Sequence, residues 1–405
     1  MCAVRQAGTA AGSVVETFLV ALKLGLTSFG GPVAHLGYFE RVYVRERGWI
    51  SHAELSELIA LCQLLPGPTS SQVGFLIGRQ QAGMRGALAA WLGFTLPSAL
   101  LMLACAQLAR VADIARMAPA LPGLQWVTVM VVSQAVWQMA RNLCPDLPRA
   151  AIGACAALLL WLRPALPPVL LLLVGALAGV LLLRHLPLAA VAASPGAAER
   201  ARDLTTSIAA VTVFLILLAL SLQAGPHPLH SLSGLAALMF HAGALVFGGG
   251  HVVLPLLRDA LVPDGWIGSD LFLAGYGAAQ ALPGPLFAFG AFIGASAAPA
   301  SAAPLWAFTA LLGLFLPGLL LALAAHTLWS RMGSSRSIRT AIAGISAAVV
   351  GLLAAVLLQT ARGVFHDAFA VLVVLAGVLA LQRWRVPPIA IVLISVALAL
   401  LHTRL

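Results

Sequence analysis

A Pro-Gly-Pro turn followed by polar side chains interrupts a long apolar run near the start of the chain. The turn is Pro66-Gly67-Pro68, inside residues 55–77. Three hydroxyl groups and one amide follow it directly: Thr69, Ser70, Ser71 and Gln72. Proline removes a backbone donor and pushes the residue before it out of helical geometry, so a helix must break here. Pro68 suits the first turn of a new helix that the hydroxyl groups can cap, and the free N–H groups of such a helix start suit an anion.

The chain repeats this break about 217 residues later, at Pro283-Gly284-Pro285. Gln63 precedes the first break by one turn, and Gln280 precedes the second at the same spacing. These amides fit a polar cavity lining or the carbonyl end of a half-helix, with plain packing as the alternative. Less polar residues replace the hydroxyl groups after the second turn: Leu286, Phe287 and Ala288. The two breaks are therefore not equivalent, and we expect the first to bind an anion and the second to form an opposing gate.

Glycine-rich segments end the apolar runs that precede these breaks. They are Phe29-Gly30-Gly31-Pro32 and Phe247-Gly248-Gly249-Gly250. Glycine permits positive φ and close backbone approach, so such a segment can point N–H groups inward as an anion nest. The alternative is a plain helix end with close helix packing. Because the segment occurs in both halves, the binding interpretation is favoured.

Two cations lie inside or beside the apolar runs of the first half. Lys23 is the single lysine of the chain and lies within the first run. It can face a pathway and pair with an anion or with Glu16, or it can snorkel to the near interface, and the sequence does not separate these interpretations. Arg79 ends the first broken segment, where it can attract anions, although a cytoplasmic boundary residue is the favoured interpretation.

His35 and His251 follow the glycine-rich segments, and each can titrate near neutral pH and couple a membrane process to protons. They do not align with each other, because Val33 takes the position that matches His251. An interfacial or hydrogen-bonded histidine is therefore the favoured interpretation of both.

Composition bounds the class of protein. The chain has 405 residues, of which 61% are hydrophobic and 9% charged, and its mean hydropathy is +1.00. This is the composition of a polytopic membrane protein that contacts the lipid bilayer. The net charge of +10 is spread between apolar runs without a dense patch, so a nucleic-acid partner is not expected. The sequence shows no metal spacing, nucleotide loop or nucleophile motif, so we expect no cofactor, no metal and no enzyme.

The hydropathy pattern predicts an all-α polytopic membrane protein of about thirteen transmembrane spans. The expected spans are 14–35, 55–78, 86–109, 122–140, 150–162, 167–183, 207–224, 234–257, 271–297, 304–329, 341–361, 366–382 and 387–402. Residues 184–203 are the expected linker. We therefore divide the chain into a first repeat, 1–185, a linker with an extra helix, 186–231, and a second repeat, 232–405.

Four landmarks support two homologous repeats. The glycine-rich segments, Gly48-Trp49-Ile50 with Gly265-Trp266-Ile267, the Pro-Gly-Pro turns, and Pro97 with Pro317 match in order at offsets of 217 to 220. Six spans in each half with one extra helix between them would invert the second repeat relative to the first, as in many secondary transporters. If either broken segment is instead a re-entrant hairpin, the number of membrane crossings changes and the inverted arrangement no longer follows.

Several long strings together resemble one protein family. They include Ser28-Phe-Gly-Gly-Pro32 with His35, Glu57 through Gly78, Ala90 through Pro97, and Phe247-Gly-Gly-Gly-His251 with Ala279 through Phe289. Over essentially the whole chain, these strings resemble the chromate transporter family in its long, two-domain form.

The resemblance implies a bacterial inner-membrane protein that exports chromate and confers resistance to it. It implies sulfate as the related oxyanion, and coupling to protons or to sulfate exchange. A sulfate or other anion importer or channel on the same scaffold is the alternative. A homodimer is compatible with the sequence, which does not favour one.

Overall fold

A computed structural model describes most of the chain. The described residues are 13–29, 31–63, 65–111, 119–163, 166, 168–185, 199–224, 230–246, 253–332, 335–364, 366–384, 386 and 388–402. Their regular secondary structure is helical throughout. This agrees with the all-α polytopic class that the composition predicts.

Eight helices make up the described part of the first half and the segment that follows it. They are α1 (Val14–Thr27), α2 (Gly31–Phe39), α3 (His52–Gln63), α4 (Thr69–Val111), α5 (Leu121–Leu143), α6 (Leu147–Leu162), α7 (Pro168–Leu182) and α8 (Glu199–Gln223). A π-helical turn over Glu40–Glu46 extends α2.

The described second half repeats this order. Its helices are α9 (Leu232–Leu245), α10 (Val253–Leu261), α11 (Ser269–Ala281), α12 (Phe289–Ala297), α13 (Ala303–Met332), α14 (Arg336–Ala361), α15 (Ala368–Arg383) and α16 (Pro388–His402). A 3₁₀ turn over Leu286–Ala288 leads into α12. Thus α9 corresponds to α1, α11 to α3, and α14 to α5.

Helix α4 is two antiparallel legs rather than one rod. Ala82 and Gly83 leave helical geometry, with φ of −141° and +62°. Gly78 and Gly86 then face each other so closely that a Cβ on either would overlap the carbonyl oxygen of the other. Small residues allow this backbone contact between membrane helices. The second leg of α4, with Pro97, corresponds to α13 with Pro317.

The helices of the two halves interleave. Helix α14 of the second half packs on α6 and α7 of the first, while α5 of the first half packs on α15 and α16 of the second. Glycines allow the close approach, since a Cβ on Gly351 would overlap the Gly153 carbonyl and one on Gly344 would overlap the Gly175 carbonyl. The fold therefore depends on contacts between repeats as well as within them.

Four of the described helical segments are long and apolar enough to cross a membrane: Thr69–Arg110, Leu204–Gln223, Ala300–His326 and Arg336–Ala361. The first of these contains the turn at Ala82–Gly83 and so forms two legs. Six further apolar helices have 10–17 residues. The outer faces of several helices expose leucine and isoleucine, for example Ile216 and Leu220 on α8. Such a surface fits lipid rather than water.

Three of the expected boundaries are wrong. The runs 14–35 and 234–257 are not single helices, because α1 ends at Thr27 and α9 ends at Leu245. Glycine-rich sequence follows each of these ends, and it stops a helix more strongly than hydropathy can show. The expected linker 184–203 is also too long, since α8 already begins at Glu199.

Candidate functional site

The two Pro-Gly-Pro turns bond reciprocally to the opposite half of the chain. Gly67 donates its backbone N–H to the carbonyl of Val246, at 2.6 Å, and Gly284 donates to the carbonyl of Ser28, at 2.9 Å. Ser28 and Val246 are the matching residues that follow α1 and α9, directly before the two glycine-rich segments. We call these two bonds the glycine clasp. The breaks of the two halves therefore meet within one small region.

Each glycine of the clasp also packs against the opposite half. Gly67 has φ of +115°, and a Cβ built on it would lie 2.8 Å from Cα of Gly318. Gly284 has φ of +94°, and its Cβ would lie 2.8 Å from Oγ of Ser98. Ser98 and Gly318 again occupy matching positions, directly after Pro97 and Pro317. Both the positive φ and the close approach require glycine at these two positions.

Helix α4 begins beside the first turn and is buried there. Its first residue is Thr69, and the carbonyl of Pro68 accepts the N–H of Gln72 at 3.0 Å. Pro68 thus occupies the capping position and not the first helical turn, which corrects the expected boundary by one residue. The N–H groups of the first three helical residues have no acceptor inside their own helix. Thr69, Ser70 and Ser71 are at most 5% exposed, so these donors and hydroxyl groups lie in the protein interior.

The Gln72 side chain ties the first turn to the second half. Its Nε2 donates to the carbonyl of Pro66, at 2.7 Å, and to the carbonyl of Gly318, at 2.9 Å. The side chain is fully buried. One amide therefore holds both the turn and α13.

His35 joins the same region from α2. Its Nδ1 lies 3.2 Å from Oγ of Ser70, and its ring meets Phe94 edge-on with centroids 5.3 Å apart. The ring is fully buried. The position that the sequence proposed for proton coupling therefore contacts one of the hydroxyl groups proposed for anion binding.

Several buried polar atoms around the clasp have no hydrogen-bond partner among the described residues: Oγ of Ser28, Oγ of Ser71, Oε1 of Gln72 and Oγ1 of Thr95. Each of these side chains is at most 1% exposed. Buried polar groups in proteins are nearly always paired, with protein, water or ligand. The region is thus chemically suited to a polar ligand, and three of the four groups are hydroxyls that can donate to an anion.

The second break has the opposite chemistry. The residues that match Thr69 to Gln72 are Leu286, Phe287, Ala288 and Phe289, and all are buried. Phe287 packs on Phe315 with centroids 5.5 Å apart, and Phe289 packs on Phe272 at 5.1 Å. This half places packed apolar side chains where the first half places hydroxyl groups and an amide.

The proposed cations and the first amide lie elsewhere. Lys23 is exposed on the face of α1 that also exposes Leu19 and Leu26, and Glu16 pairs with Arg47 instead. Arg79 is half-buried and lies ten residues beyond Thr69, about 15 Å along the helix axis. Gln63 is exposed at the end of α3, and Phe29 is also exposed. Since Lys23 shares a face with exposed leucines, the structure favours the snorkelling interpretation.

The remaining sequence candidates fall into two groups. Gln280 donates to the hydroxyl oxygen of Tyr276 at 2.6 Å, one turn earlier on α11, rather than to a residue of the clasp. Gly31 begins α2 with φ of +78°. Other candidates lie outside the described residues: Gly30, Gly248, Gly249, Gly250 and His251, together with the side chain of Pro32.

Replacing Lys23 tests its proposed place in a pathway. We expect Lys23→Gln to change transport by less than about twofold, because a snorkelling lysine pairs with the interface and not with a transported anion. Membrane level by fluorescent fusion and initial transport rate are the measurements. A loss of more than tenfold at normal membrane level would place Lys23 in the pathway instead.

Sequence reasoning missed Ser28, Thr95, Ser98 and Gly318 as parts of this region. Pro97 and Pro317 were recognised as landmarks of the repeat, and the residues beside them carry the contacts. For Ser98 and Gly318, the position directly after a matched proline inside an apolar run was the available signal. Among the described residues, no group of three or more His, Cys, Asp or Glu side chains is placed to hold a metal.

Broken helices whose turns meet inside an apolar helical bundle are the construction of polytopic membrane transporters. The sequence pattern of the family described as chromate transporter matches this chain twice, over residues 15–180 and 233–400. The chain belongs to the chromate transporter family.

Curated relatives cover nearly the whole chain. A probable chromate transport protein of Synechococcus elongatus is 29% identical over 395 residues, which are 93% of this chain and 92% of the relative. The chromate transport protein of Pseudomonas aeruginosa is 28% identical and covers 86% of this chain and 82% of its own length. That of Cupriavidus metallidurans is 26% identical and covers 93% and 92%. No solved structure matches this chain.

Proposed function

We propose that this protein is a secondary transporter that exports chromate from the cytoplasm across the bacterial inner membrane and so confers resistance to it. The observation that carries the proposal is the buried start of α4 beside the clasp, where the first N–H groups have no acceptor inside their own helix and the buried hydroxyl of Ser71 has no partner among the described residues. Tetrahedral oxyanions bind such arrays of neutral donors. The relatives named as chromate transport proteins supply the particular oxyanion, and sulfate has the same shape and charge.

The membrane potential can drive this export. When the cytoplasm is negative, moving one negative charge out of the cell releases about 2.3 kcal/mol per 100 mV. At 100 mV a dianion therefore gains about 4.6 kcal/mol, which can sustain roughly a 2,000-fold concentration gradient of the anion across the membrane. Nucleotide hydrolysis is therefore not needed for the direction that we propose. Proton coupling through His35, which contacts Ser70, would add to this force.

The two repeats play different parts in the proposed cycle. We assign the hydroxyl-rich break of repeat 1–185 to oxyanion binding and the aromatic break of repeat 232–405 to the opposing gate. The repeats would be inverted relative to each other, and the segment 186–231 would provide the odd helix that inverts them. Since Thr69, Ser70 and Ser71 are buried in this conformation, loading and release require the clasp region to open.

Chromate accumulation in cells without any chromate pump tests the function. We expect cells that carry this protein to accumulate less chromate than cells without it, and a protonophore to abolish the difference. Higher accumulation would show uptake, with chromate entering as a sulfate analogue. Equal accumulation with the protein present in the membrane would remove chromate as the substrate.

Removing the three hydroxyl groups tests the binding site. We expect Thr69→Ala/Ser70→Ala/Ser71→Ala to raise the KM for chromate about tenfold, since each lost hydrogen bond is worth about 1 kcal/mol and not all three need reach the ion. The matched control is Ser133→Ala/Thr309→Ala, whose hydroxyls bond only to carbonyls of their own helices. Unchanged transport by the triple variant at normal membrane level would refute this site.

A further inference from the structure

A polar cavity lies between the two halves, and no residue of the clasp lines it. It has a volume of about 200 Å³ and is lined by residues of α5, α10, α11 and the end of α14. Gln125 and Gln359 are exposed at its mouth, while Phe272 and Tyr276 are buried at its floor. The sequence predictions included none of these residues. Its polar lining is unusual in a chain of this composition and needs a reason.

The cavity presents donors with one strong positive charge. Arg258 lines it and is half-buried, and no acidic side chain is among the described residues that line it. Asp259, the next residue, lies outside the lining, but its carboxyl is close enough to Arg258 for the two charges to attract each other, which offsets part of the positive charge. Arginine carries a fixed charge and a planar fork of N–H groups that matches two oxygens of an oxyanion.

The hydroxyl of Tyr276 adds a second donor at the floor. Its oxygen accepts a hydrogen bond from Nε2 of Gln280 at 2.6 Å, so its own proton remains available for an acceptor inside the cavity. The amides of Gln125 and Gln359 can donate from the mouth. The hydroxyls of Thr128 and Thr360 donate to carbonyls of their own helices and contribute no further proton.

Helix α11 connects this cavity to the clasp. Tyr276 and Gln280 lie one turn apart near the end of α11, which stops at Ala281, and the turn that follows carries Gly284, whose N–H bonds to Ser28 in the opposite half. Polar groups therefore extend from the cavity floor toward the meeting point of the two breaks.

We propose that this cavity is an oxyanion vestibule, in which Arg258 and Tyr276 bind a tetrahedral dianion before or after it passes the clasp. The identity of the anion rests on the proposed function, whereas the existence of the site rests on the cavity and its donors. Arg258 supplies a positive charge in this cavity, whereas the cations proposed from the sequence, Lys23 and Arg79, lie away from the clasp.

Protection of Arg258 from chemical modification detects anion binding at this site without a transport measurement. The full chain in detergent without phospholipid is treated with glyoxal, a small arginine-selective dicarbonyl, and modified peptides are quantified by mass spectrometry. Chromate or sulfate at about four times its Kd should slow modification of Arg258 about fivefold, as simple occupancy requires. Arg383, exposed at the end of α15, is the internal control and should not change, and chloride at equal ionic strength should protect neither residue.

Variants test the donors separately. Tyr276→Phe should raise the anion concentration needed for half-protection by at least about tenfold through the loss of one hydrogen bond to a charged group. Where chromate transport is measured, Arg258→Gln should raise KM about tenfold with little change in maximal rate. Arg258→Lys, which keeps the charge, should raise KM less. The control Arg383→Gln should have the KM of the wild type.

The outcomes separate this inference from the proposed function. Protection of Arg258 without chromate transport would support the vestibule and reject the function. Transport without protection, or no modification of Arg258 even in the absence of anion, would overturn the vestibule alone. Protection that appears only when anionic phospholipid is added would make this a headgroup site and would also overturn it.

Discussion

Gly67→Ala should abolish transport. An alanine at φ of +115° lies outside the left-handed region that L residues tolerate, and its Cβ would meet the backbone of Gly318 at 2.8 Å and Nε2 of Gln72 at 2.9 Å. The strain and the overlap together cost on the order of 3–5 kcal/mol, and the cheapest relief is to separate the two halves. We expect a loss of at least about a hundredfold in initial rate, which corresponds to about 3 kcal/mol. Membrane level and chromate accumulation are the measurements.

Gly284→Ala should also reduce transport strongly, but a second substitution should restore part of it. The closest atoms to its Cβ would be Oγ and Cβ of the Ser98 side chain, at 2.8 and 3.0 Å, and not backbone atoms as for Gly67. The double variant Gly284→Ala/Ser98→Gly removes that overlap and leaves the strained φ and a tight approach of 3.3 Å to the Gly25 carbonyl oxygen, so part of the transport should return. No equivalent rescue exists for Gly67, because its neighbour Gly318 already lacks a side chain.

Two other glycines with positive φ serve as controls for the backbone strain that alanine introduces. Gly48 and Gly265 also correspond between the halves, with φ of +63° and +73°, and among the described atoms nothing lies within 4 Å of a Cβ built on either. Alanine there costs only about 1–2 kcal/mol of backbone strain. Gly48→Ala and Gly265→Ala should therefore retain most transport. If they lost as much as Gly67→Ala, backbone strain and not the contact between halves would explain the effect.

The sequence predicted the parts of this fold that local chemistry determines. The apolar composition specified membrane helices, and proline specified both breaks, since a helix cannot continue through Pro66-Gly67-Pro68. The contrast between Thr69–Ser71 and Leu286–Ala288 was also visible, and in the structure it is a contrast between buried hydroxyl groups and buried apolar side chains.

Contacts between distant segments were not predictable from the sequence. Nothing local indicates that Gly67 bonds to Val246, or that α14 packs on α6 and α7 instead of on its own repeat. Those pairings depend on how glycine stripes of separate helices fit together, and many apolar helices could present such stripes. Arg258 was overlooked because a single arginine between apolar runs also fits a boundary residue. Its significance appears only when Tyr276 and Gln359 are found beside it.

Gln72→Met should reduce transport about thirtyfold. Methionine keeps the volume of the side chain but leaves the carbonyls of Pro66 and Gly318 without this donor. Each buried carbonyl that loses its donor costs about 1 kcal/mol, and the total of about 2 kcal/mol corresponds to a roughly thirtyfold lower transport rate. The matching position in the second half is Phe289, so no equivalent bond there compensates for the loss. The turn would then separate from α13 more readily, and the start of α4 would lose its fixed position.

Gln72→Glu distinguishes this donor role from simple packing. A buried glutamate is expected to be protonated, and its one O–H can serve only one of the two carbonyls. Its transport should therefore fall between that of the wild type and Gln72→Met. Gln80→Met on the same leg of α4 is the control, because Gln80 is exposed and should be replaceable. Equal activity of Gln72→Met and wild type would show that the amide does not hold the two halves together, and the clasp would then depend on its two glycines alone.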